Sequence, residues 1–138
     1  MFFKKENKKN ENNFLIKVCA LLVHAAKIDE NYTEKEEQII IKTLIELGLK
    51  EEKISEIVNN AKILEDNSNQ IIDFTREVKN LSNNDKIKIV EALWSIIYSD
   101  KDADIYETNL MRRLAGLLYI DSKIMGNIKN RIIKENLK

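Results

Sequence analysis

Proline is absent from the 138 residues, and glycine occurs only three times. Without proline the chain has no fixed helix breaker, so helices can run long and a turn-rich all-β fold is disfavoured. Cysteine is reduced to Cys19, which excludes an intramolecular disulfide and fits a reducing cytoplasm. Neither sign of charge is in excess: 23 Lys and Arg stand against 23 Asp and Glu. That balance argues against a general binder of nucleic acid or of anionic membrane, which would carry a basic surplus. No apolar run approaches the ~20 residues that cross a bilayer. Met1-Phe2-Phe3-Lys4-Lys5 lacks the apolar stretch of a signal peptide.

What remains is 43% hydrophobic and 33% charged, an ordinary soluble globular composition of a length suited to one domain. Residues 4 to 13 are Lys, Glu and Asn only. This predicts a disordered tail over 1–13 and a helical domain over 14–138. From Phe14 onward, apolar residues recur at helical spacing. Phe14 to Ile28 is broadly apolar, which predicts a central, buried helix. A second helix starts after Thr33 and ends at Gly48, a third covers about 51–65, and a fourth about 70–81. The fifth runs from Lys86 to Ser99, the sixth is capped by Asp104, and the seventh by Asp121.

Two acidic stretches lie between helices. Asp29-Glu30-Asn31-Tyr32-Thr33-Glu34-Lys35-Glu36 follows the first, and Asp100-Lys101-Asp102-Ala103-Asp104-Ile105-Tyr106-Glu107 follows the fifth. Each sets an Asp seven residues before a Glu, and a shift of 71 positions superimposes them without a gap. The same shift pairs Val18 with Ile89, Leu22 with Leu93, Ile39 with Leu110, Leu47 with Leu118 and Ile57 with Ile128. The expected fold is therefore all-α, with about seven helices: two pseudo-symmetric three-helix units joined by a linking helix. Their acidic loops should meet on one face.

The acidic loops carry two readings. Asp100, Asp102, Asp104 and Glu107 gather four carboxylates within eight residues, an oxygen cluster that Ca²⁺ or Mg²⁺ would favour. With Asp29 and Glu36 of the first loop they form the candidate metal ligands. The spacing opens like an EF-hand but has Ile105 where that loop needs Gly, and Met111 where it needs an acid. In the second reading the same groups build helix starts. Thr33 with Glu36, and Asp104 with Glu107, have the capping-box spacing and lie at a positive dipole end. Asp29 and Asp100 close the preceding helices, where the dipole disfavours an acid. They either hold a cation or accept from loop amides.

His24 and Cys19, on the apolar first helix, read as core residues, and Trp94 and Tyr98 as core or groove lining. No phosphate loop, nucleophile–base pair or zinc spacing is present, so no catalytic residue is expected.

The two copies of Asp with a Glu seven residues on, each between helices, resemble the TerB family, named for tellurite resistance. Leu21-Leu22-Val23 and Ala92-Leu93-Trp94 before the loops also fit, as does Arg112-Arg113-Leu114-Ala115 followed by Leu117-Leu118. The family's Gly after each Asp is Glu30 and Lys101 here. The resemblance covers roughly residues 14 to 132. It implies a non-enzymatic helical domain linked to tellurite resistance and stress response. The implied partners are proteins, with membrane-bound ones as one alternative; nucleic acid is already disfavoured by the charge balance. A cytoplasmic place is implied, with the inner membrane face as its alternative, and a divalent cation at the acidic loops as the alternative role.

Overall fold

A computed structural model describes residues 2–28, 32–68, 70–76, 78–100 and 105–136, with the side chains of 2–12, 100, 105–107 and 136 left out. Among these residues there are seven α-helices and no strand. They are α1 Phe2–Lys27, α2 Glu34–Glu46, α3 Ile54–Asn67, α4 Ile72–Thr75, α5 Asn83–Ile97, α6 Ile105–Leu117 and α7 Ser122–Asn136. Short 3₁₀ turns sit at Glu51–Lys53, Val78–Asn80 and Tyr98–Asp100. No helix among the described residues is long and apolar enough to cross a membrane.

Where the sequence suggests a tail, the backbone is helical from Phe2. Residues 4–13 hold no proline or glycine, and Lys and Glu are good helix formers, so the apolar helix beyond them extends toward the N-terminus. The expected fourth helix over 70–81 is instead split into α4 and the Val78–Asn80 turn. Ile71, Ile72, Thr75 and Val78 are β-branched and favour a helix less. Burial of Ile71, Phe74 and Val78 decides the path of this short segment.

Helix starts follow their caps. Thr33 Oγ1 accepts from Glu36 N at 3.2 Å and Glu36 Oε1 accepts from Thr33 N at 2.8 Å, the reciprocal capping box. Ser82 Oγ accepts from Asp85 N at 3.3 Å and starts α5 ahead of Lys86. Asp121 Oδ1 accepts from Lys123 N at 2.9 Å ahead of α7.

The core is built on α1 and α5. α1 lies along α3 and also meets α2, α4 and α5, while α5 packs on α2 and α7. Leu21, Leu22, Ile40, Ile89, Leu93 and Ile96 are among the fully buried side chains. Val18 and Ile89 are both buried, as are Leu22 and Leu93, and Ile57 and Ile128.

The shift of 71 also appears in backbone bonding at the ends of α2 and α6. In the first copy Leu47, Gly48 and Leu49 N–H groups donate to the carbonyls of Thr43, Ile45 and Leu44. In the second, Leu118, Tyr119 and Ile120 donate to Leu114, Gly116 and Ala115. Both are Schellman ends, which place one residue in the left-handed region. Gly48 takes it at φ 105° and Tyr119 at φ 54°. Glycine adopts this conformation freely, whereas a side chain there costs roughly 1–2 kcal/mol.

Candidate functional site

The region around the first acidic loop combines a cavity with a network of charged side chains. Glu36, one of the expected metal ligands, is 4% exposed, and its carboxylate serves the start of α2 through Thr33 N. On the preceding residue, Lys35 Nζ donates to the Ser99 carbonyl at 3.1 Å. That bond ties the start of α2 to the residue just before Asp100. Asp29, Asp102 and Asp104 lie outside the described residues, as do the side chains of Asp100 and Glu107. Among the described residues no group of three His, Cys, Asp or Glu side chains is placed to hold a metal ion.

Beside this loop, a cavity of about 470 Å³ is lined by Val23, Lys27, Tyr32, Lys62 and Asp66. Three elements supply its wall: the end of α1, the residue before the α2 cap, and one face of α3. Lys27 Nζ donates to Glu65 at 2.7 Å and to Asp66 at 2.6 Å. His24 Nδ1 lies 3.3 Å from the other Glu65 oxygen. Across the cavity Lys62 Nζ donates to Glu37 at 2.9 Å and sits 5.1 Å from the centre of the Tyr32 ring. The Tyr32 hydroxyl donates to the same Glu37 oxygen at 3.4 Å.

This arrangement fixes protonation. Burial raises the Tyr32 hydroxyl well above its ordinary value, and the negative charge of Glu37 adds to the effect. Burial pushes the Cys19 thiol up to about 12, against the attraction of Lys62. Hydrogen bonds to Asp66 and Glu65 raise Lys27, and the same Lys27 lowers Asp66. Both lysines are matched by carboxylates, and the tyrosine and cysteine hold their protons at neutral pH. Chemically the cluster is a set of neutralised pairs that ties α3 to α1 and α2.

Sequence reasoning did not find this cluster. Lys27 and its two carboxylates are 38 and 39 residues apart, and His24 and Glu65 are 41 apart. Charges so far apart in the chain carry no local spacing. The one usable signal was His24 and Lys27 at i, i+3, which share a helix face. His24 is half-exposed at the edge of α1, its ring centre 6.5 Å from that of Phe74. Cys19 is buried in the core, in agreement with its sequence reading.

A family model described as Tellurite resistance protein TerB matches residues 15–130. No curated protein and no solved structure matches the chain.

Proposed function

We propose a function from one premise, that the chain belongs to the TerB family. The chain is a helical domain associated with tellurite resistance, and it acts by binding a protein, without catalysing a reaction. The family match over residues 15–130 supports the association with tellurite resistance. Site chemistry supports the non-enzymatic part, because Cys19 and Tyr32 are both held protonated by burial and neither is a nucleophile at neutral pH. Cells lacking the chain should tolerate less tellurite, and the intact chain should restore tolerance. Immobilised chain should retain a specific protein from the same cells. Unchanged tolerance together with no specific retention would end this reading.

A divalent-cation sensor or buffer is the second reading. The Lys35 to Ser99 bond favours it by joining the first acidic stretch to the residue just before the second. If the reading holds, Ca²⁺ or Mg²⁺ raises the melting temperature by mass action and Asp100→Asn removes the rise. A melting temperature indifferent to both cations counts against it.

A further inference from the structure

Tyr119 occupies a position that the fold would give to glycine. Its repeat counterpart is Gly48, with matching hydrogen bonds and the same left-handed backbone. The tyrosine also gains little from burial, since it is 73% exposed. Strain held by an exposed aromatic points to a role other than stability.

Its surroundings are built. A groove of about 200 Å³ runs between α4 and the end of α6, with Ile72, Leu117 and Tyr119 as its apolar lining. Gly116 leaves its floor open: a Cβ there would meet nothing within 4 Å. Lys79, also in the lining, sits 5.8 Å from the centre of the Tyr119 ring. The buried Lys86 donates its Nζ to the Leu118 carbonyl at 2.9 Å, so the turn that presents Tyr119 is anchored from beneath.

The rim is basic. Arg76 lines the groove, and Arg113 stands one turn before Gly116 and Leu117 on the same face of α6, with Arg112 beside it. Arg76, Arg112 and Arg113 are exposed, and none of the four cations forms an ion pair among the described residues. Against these cations stands the exposed Asp73, one turn before Arg76 on α4, while Asp121 is engaged with Lys123 N at the start of α7. A protein with no net charge thus gathers positive charge around one apolar, aromatic groove.

We propose that the α4–α6 groove docks an acidic peptide segment of a partner protein. An apolar side chain of the segment enters between Ile72 and Leu117 against the Tyr119 ring, and its carboxylates meet Arg76, Lys79, Arg112 and Arg113. This rests on the protein-binding reading above and gives that partner its chemistry.

The test uses the full chain and a fluorescein-labelled peptide of alternating glutamate and leucine, read by fluorescence anisotropy. The same peptide with glutamine for glutamate is one control, and phosphatidylglycerol vesicles are another. The glutamate peptide should bind, and added salt should weaken it by screening. Tyr119→Gly should weaken binding roughly fivefold or more, as loss of an aromatic anchor does. The same variant should melt at an unchanged or higher temperature, because glycine relieves the left-handed strain. Arg76→Ala with Arg113→Ala should also weaken binding, and Gly116→Leu should block the groove. Equal binding of the glutamine peptide overturns the proposal, as does binding to vesicles but not to peptide. A fall in melting temperature for Tyr119→Gly overturns it too, since the tyrosine would then be structural. If the immobilised chain still retains its partner after Tyr119→Gly, this groove is wrong while the protein-binding reading stands.

Discussion

Cys19 and Tyr32 show how single groups acquire their chemistry from where the fold puts them. Cys19 is fully buried, and its thiol is moved from 9.0 up to about 12 chiefly by desolvation. Tyr32 is moved in the same direction by its own burial and by Glu37. Each is neutral when protonated, and the folded chain holds the proton more tightly than the unfolded one. Below pH 9 both states keep the Cys19 proton and its contribution is constant. Above pH 9 the unfolded chain releases it first, so stability falls as pH climbs toward 12. The melting temperature should therefore drop steadily from pH 9 upward, and drop less steeply in Cys19→Ala. Iodoacetamide should label Cys19 at neutral pH only after denaturant is added. Rapid labelling of the folded chain would mean that Cys19 is not enclosed as described.

The helix elements divide by whether their cause is local. Thr33 with Glu36, Ser82 with Asp85, and Asp121 with Lys123 are caps written within four residues of sequence, and each hydrogen bond forms. The apolar faces of α1 and α5 follow from 3.6-residue spacing and are buried as it requires. The break between α4 and the Val78–Asn80 turn was not legible, because the path of this segment depends on where Ile71, Phe74 and Val78 find burial. The pairs of Lys27 with Glu65 and Lys62 with Glu37 were not legible either, because they join different helices. Two substitutions separate local from tertiary causes. Thr33→Ala removes the cap and should cost about 1 kcal/mol. Leu93→Ala opens space in the fully buried centre of α5 and should cost ~2–5 kcal/mol. Chemical denaturation measures both. A Leu93→Ala cost no larger than that of Thr33→Ala would place Leu93 outside the core.

At the scale of the molecule, the shift of 71 raises the question of whether each half is a folding unit. The ends of α2 and α6 match, since their hydrogen bonds correspond one for one. Packing argues that neither unit is complete. α5 covers α1 and α2 while also packing on α7, so one helix of the second half closes the core of the first. Leu22 and Ile40 in the first half, and Ile89 and Leu93 in the second, are all fully buried in one continuous cluster. A fragment of residues 14–68 would expose the surface that α5 covers. It would also be small, and small domains bury too little surface to offset conformational entropy. The full chain should unfold in a single cooperative transition, with circular dichroism and Trp94 fluorescence changing together. The fragment should show weak helicity and no cooperative melt, and mixing it with a fragment of residues 70–138 should restore helical signal. A cooperative melt of the first fragment alone, near the temperature of the full chain, would mean that α5 is not needed to close that half.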